Sequence, residues 1–223
     1  MPIGGADHFG GWMLADAKTG ADRQTPARLA QASAAPAGRP AARSARAILR
    51  SATDSVHQRM HRHPGFAALA DGTIERAAYR ALLARIHGFY RSVEARLALG
   101  NARSTALADD LVDLGLSRGT LEALPSCAPL QIGESPAETI GARYVVFGAS
   151  LGGQVMAKAL ARRAPALPTR FLCGTGSADW SRFVASLDAH LPDGAARALA
   201  ARAAVTTFAA LEGWMDGWRP HDD

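Results

Sequence analysis

An all-α fold is the class this sequence predicts, and three observations carry the prediction. The 223 residues are 48% hydrophobic but only 6% aromatic, and the apolar share leans on alanine and leucine, strong helix formers, over the β-branched and aromatic residues that favour strands. From Ala45 onward apolar residues recur at helical spacing. No run alternates apolar and polar residues as a half-buried strand does, and no internal repeat is present.

Residues 1–42 are rich in Ala, Gly, Pro and polar side chains without a sustained apolar period, which predicts a disordered leader before a single helical domain at 43–220. Ile48, Leu49, Ala52, Val56 and Met60 mark a first helix that Pro64 stops, with His57 and His61 one turn apart in its second half. The stretch PGFAALADG reads as a connector, after which Thr73 is the expected cap of a long helix. That helix carries Ile74, Tyr79, Leu82, Leu83, Ile86, Phe89, Tyr90, Val93 and Leu97 as its apolar stripe and ends at Gly100. A shorter helix is expected over 105–116, and 117–133, with Pro125, Cys127 and Pro129, reads as connection plus a helical turn. Ser135-Pro136-Ala137-Glu138 is a capping box with proline at the first helical position. It opens a helix expected to reach Arg163, followed by helices over 177–191 and 194–218.

Charge narrows the partners. The net charge is +5 with a pI near 9.9, yet the arginines are scattered singly or in pairs and form no run that would track a nucleic-acid backbone. The balance suits an anionic small ligand or an acidic protein partner, with solvated surface as the plainer alternative. Cys127 and Cys173 are too few for a disulfide framework and lack metal-knuckle spacing. The first residues lack a signal-peptide pattern and nowhere do 18 apolar residues run together, so a cytoplasmic protein with no membrane partner is expected.

The capped segment contains Tyr144-Val-Val-Phe-Gly148-Ala-Ser150-Leu-Gly152-Gly153-Gln154. Gly148 to Gly152 matches the G-x-S-x-G elbow of serine hydrolases, with Asp188 and His190 as downstream partners for Ser150. An elbow, however, needs a preceding strand at the centre of a parallel sheet, and no other segment here supplies its neighbours. In a continuous helix, Gly148, Gly152 and Gly153 share one face at a propensity cost of roughly 1 kcal/mol each. Such a face admits either a large flat ligand or a closely packed helix.

The stretch Leu49-Arg50-Ser51-Ala52-Thr53-Asp54-Ser55-Val56-His57 resembles the proximal helix of the bacterial heme oxygenases, and Tyr144 to Gln154 resembles their distal helix, in the same order and at a similar separation. The resemblance spans about 45–218, with further echoes at Trp180, Phe183 and 203–208. It implies a helical bundle holding heme between the two helices, and an enzyme that cleaves heme with O2 and electrons to biliverdin, CO and Fe2+.

The site residues implied by the resemblance follow from those two stretches. His57 is the implied iron ligand, with His61 and His63 as fallbacks. A neutral imidazole leaves the opposite face of the iron open for dioxygen. Gly148, Ser150, Gly152 and Gly153 are the implied catalytic stretch over the heme face. Arg50, two turns before His57, and Tyr144 suit the heme propionates, Phe208 packs near the heme, and Arg202 reads as an exposed arginine. Mammalian members carry an aspartate after the first distal glycine where this chain has Ala149, so backbone groups and ordered water are implied instead. Heme is then both substrate and cofactor, with a reductase or ferredoxin as external electron donor. A non-degrading carrier, or a thiaminase-like or quinone-cofactor enzyme of the same fold, is the alternative outside this chemistry, and the Ser150 hydrolase is the other.

Overall fold

Ser44 starts the helical unit by accepting a hydrogen bond from the amide of Ala47 at 3.2 Å. A computed structural model describes residues 43–174 and 177–220, and the leader expected over 1–42 lies outside the described residues. Among these, every regular element is a helix: α1 (Ala45–Arg62), α2 (Pro64–Asp71), α3 (Arg76–Leu97), α4 (Ala102–Asp113), α5 (Arg118–Ala123), α6 (Pro136–Arg163), α7 (Arg170–Cys173), α8 (Ser177–His190) and α9 (Gly194–Met215).

The expected connector after α1 is itself a helix. His63 turns the chain, its Nδ1 accepts the amide of Gly65 at 3.2 Å, and Pro64 occupies the first position of α2. Gly72, at φ 68°, ends α2 in the left-handed region that only glycine adopts without strain. The amide of Thr73 then bonds back to the Ala68 carbonyl at 2.9 Å. Thr73 therefore closes α2 instead of capping α3, whose N-cap is Glu75 without a side-chain bond.

The best local signal in the sequence is realised in full. Ser135 Oγ accepts the amide of Glu138 at 3.3 Å, the Glu138 carboxylate accepts the amide of Ser135 at 3.3 Å, and α6 then runs unbroken for 28 residues. Two other helix starts depend on distant side chains. The buried Glu94 of α3 accepts the amides of Arg103 at 2.8 Å and Ser104 at 3.2 Å, capping α4 from outside. Asp110 of α4 does the same for α7, a helix that local spacing did not announce.

α9 is the staff against which α1 and α6 lie, while α1 and α6 make at most marginal backbone contact with each other. His57 faces Phe208, Arg59 pairs with Glu212 at 2.6 Å, and His63 Nε2 meets the Met215 carbonyl at 3.3 Å, so α1 and α9 run in the same direction. α6 crosses α9 at Gly141, where a Cβ would overlap the Ala200 carbonyl oxygen. Glycine there permits backbone-to-backbone approach. α3 fills the core beneath, burying Tyr79, Leu82, Leu83, Ile86, Phe89, Tyr90 and Val93. Among the described residues no helix is long and apolar enough to cross a membrane.

Candidate functional site

His57 sits on the half-buried flank of α1 that turns toward α9. Its ring meets His61 edge-on at 4.4 Å between centroids and Phe208 edge-on at 6.0 Å. Burial, reinforced by His61, lowers its pKa to about 4, against a smaller upward pull from Asp54. The imidazole is consequently neutral at physiological pH, the protonation state that donates a lone pair to a metal. His63 is unsuited to that role because both ring nitrogens are engaged, one capping α2 and one at the Met215 carbonyl.

Two turns up the same helix lies a polar cluster. Tyr144 of α6 is 1% exposed, its ring tilted against Trp180 of α8 at 5.4 Å. Burial raises its phenol pKa, and the guanidinium charges of Arg46 and Arg50 act in the opposite direction. Arg50 and Tyr144, expected at one end of the site, thus lie within electrostatic reach of each other across α1 and α6. Arg46, one turn before Arg50, joins them and was missed by sequence reasoning; its i, i+4 spacing from Arg50 was the available signal. Among the described residues Arg50 has no carboxylate partner.

The glycine stretch lies in the middle of α6, and Gly148, Ser150, Gly152 and Gly153 are all buried. Because successive helical residues are about 100° apart, Gly148 and Gly152 share a face and Gly153 turns away from it. Gly153 packs against α7, where a Cβ would lie 2.6 Å from the Leu172 carbonyl oxygen. The expectation of three glycines on one face therefore becomes two, with the third used for helix packing. Arg202 is exposed, and its charge acts on Glu138 at the start of α6.

The hydrolase alternative fails on geometry. Val145, Val146 and Phe147 are helical, so the strand an elbow requires is absent. Asp188 is occupied by the amide of Ala45 at 2.8 Å and by Arg197 at 3.1 Å, and His190 Nδ1 meets its own helix at the Ser186 carbonyl. Among the described residues no Ser150–His–Asp relay is assembled. A cavity of about 480 Å³ opens elsewhere, between α6 and α8, lined by Ile140, Arg143, Phe183, Leu187 and His190 among others. None of the residues expected to touch heme lines it.

The fold and site define an all-helical bundle protein with a neutral histidine on one helix, a glycine-bearing helix in at most marginal backbone contact with it, and two arginines within electrostatic reach of a buried tyrosine. Comparison with known proteins identifies which. The heme oxygenase family model matches residues 43–216. The chain is 33% identical over 157 residues to the heme oxygenase of Xanthomonas campestris pv. campestris (strain 8004), covering 64% of this chain and 91% of that one. It therefore belongs to the heme oxygenase family, and its activity class is that of a heme-degrading oxidoreductase. Two solved structures share the fold at a TM-score of 0.62 and 20% identity. The heme oxygenase of Leptospira interrogans covers 77% of this chain and 98% of its own. Heme oxygenase-1 of the cyanobacterium Synechocystis sp. PCC6803, in complex with heme, covers 78% and 91%.

Proposed function

We propose that this chain converts heme to biliverdin with His57 as the proximal iron ligand and the Gly148–Gly152 face of α6 opposite. The carrying observation is the placement of a neutral imidazole seven residues from Arg50 on one helix. Seven residues span about 10.5 Å along a helix, comparable to the distance from the centre of a porphyrin to its propionates. The residues present fit the group: a buried neutral nitrogen donor, a cationic pair with a phenol at one end, and buried glycines on the facing helix.

Heme supplies the iron at which dioxygen is reduced and the porphyrin that is opened, with CO and Fe2+ released alongside biliverdin. The chain's own residues bind and orient. Phe208 and His61 meet the His57 ring edge-on, and burial, reinforced by His61, keeps it unprotonated. Arg46, Arg50 and Tyr144 receive the carboxylates and so set the in-plane rotation of the ring. Lacking side chains, Gly148 and Gly152 would let the heme approach the backbone of α6, and because Ala149 brings no carboxylate, main-chain groups and ordered water would orient the distal proton donors. Electrons come from an external reductase or ferredoxin, and the compartment is the cytoplasm.

The direct test is hemin titration followed by supply of electrons. A histidine-type Soret complex that turns over to biliverdin is the expected result; absence of any complex overturns the proposal, and a stable complex without turnover leaves only a carrier. Arg50→Glu is expected to weaken hemin binding by roughly 1 to 3 kcal/mol, through loss of a charge-assisted contact and introduction of repulsion, or to redistribute the biliverdin isomers. Affinity and isomer ratio both equal to the parent's would remove Arg50 from the site.

A further inference from the structure

We infer that α7, anchored by Asp110, is a brace that sets the position of the glycine segment of α6, which makes Asp110 a positioning residue for the reaction; this rests on the heme reading above. Asp110 is fully buried in the last turn of α4. Its Oδ2 accepts the amide of Phe171 at 2.9 Å, and its Oδ1 accepts the amide of Arg170 at 3.1 Å and the Arg170 guanidinium at 3.2 Å. Both carboxylate oxygens are thereby spent on one four-residue helix. Tyr79 reinforces the grip by donating its hydroxyl to the Pro168 carbonyl at 2.9 Å, just ahead of that helix.

What is held is in turn pressed on α6. Phe171 and Leu172 are buried, the Phe171 ring lies edge-on to Tyr90 at 5.2 Å, and the Leu172 carbonyl occupies the space a side chain at 153 would need. A helix carrying glycines at 148, 152 and 153 has lost side-chain packing at three positions and bends more readily than its neighbours. The brace meets it at the residue adjoining Gly152. A buried carboxylate on two backbone amides is a short, directional anchor, whereas the apolar contacts of α7 alone would allow it to slide. The position of the Gly148–Gly152 face is therefore set from behind, by a residue of α4 whose hydrogen bonds go to α7.

The test is hydrogen exchange on the full chain without hemin, comparing the parent with Asp110→Asn, Gly153→Ala and Arg170→Ala. Asparagine keeps the shape but cannot accept at both atoms, the Gly153 methyl drives α6 and α7 apart, and Arg170→Ala removes only the guanidinium, which is half exposed. Exchange at 148–154 should rise about tenfold or more in the first two variants and less in the third, with α1 and α9 unchanged. In the loaded protein, hemin affinity should stay within about twofold while the isomer ratio shifts. If Asp110→Asn does not fold, Gly153→Ala and Arg170→Ala carry the same comparison. Exchange at 148–154 equal to the parent's, a uniform rise in every helix, or an unchanged isomer ratio despite raised exchange would overturn the brace. Because the exchange measurement needs no hemin, its failure is separate from failure of the heme reading.

Discussion

His57→Ala is expected to abolish the histidine-ligated ferric spectrum and to lower turnover by more than the roughly 10- to 100-fold that loss of an outer-shell partner costs at a metal site. The size of the effect follows from the alternatives. His63 is held by α2 and by the Met215 carbonyl, and His61 lies a full turn away, its ring across that of His57. Neither reaches the same point without dismantling α1. The methyl of alanine leaves a pocket bounded by His61 and Phe208 that imidazole from solution can enter, so added imidazole should restore the spectrum in part. His61→Ala is the companion variant: it removes a neighbour that lowers the His57 pKa and should keep the ligated spectrum. A normal spectrum and rate in His57→Ala, with loss in His61→Ala, would move the ligand one turn along the helix.

Gly152→Leu is expected to fold and yet to lose heme degradation. Leucine is better than glycine in a helix interior by about 0.8 to 1 kcal/mol, whereas forcing extra methylene groups into a packed site costs about 1 to 3 kcal/mol. The net change in stability is small beside the consequence for the face, because the branched side chain of a buried position points where a ligand would lie against the backbone. Ser150→Ala, at a site that is 5% exposed and part of no catalytic relay, should retain most of the turnover. Circular dichroism and biliverdin formation measured on both variants separate folding from function. Normal heme degradation by the leucine variant would show that this face of α6 is not opposite the iron.

The stretches around His57 and Gly148 were picked out in the sequence by their resemblance to the heme oxygenase family, and helical spacing then related the residues within each. Arg50 and His57 are two turns apart on one helix, and Gly148 and Gly152 one turn apart on another, so each pair shares a helix face. An arginine one turn before Arg50 reads equally as surface until the fold brings Arg46 within electrostatic reach of Tyr144. Gly153 was assigned with its neighbours because a cluster in sequence reads as a cluster in space; a single 100° step gives it a different partner.

Local chemistry determined the helical class, the start of α6 at Ser135 and Glu138, and the end of α1 before Pro64. Each is an interaction between residues a few positions apart, or a pattern one helix displays by itself. Tertiary structure decided what no window of sequence contains. The amides that open α4 and α7 find their acceptors in Glu94 and Asp110, the latter 60 residues from Arg170. The neutrality of His57 comes mainly from the burial that packing against α9 brings, and the close approach at Gly141 exists only because the Ala200 carbonyl lies across it. Backbone groups must be satisfied wherever they are buried, but the partner that satisfies them is a matter of which helices meet.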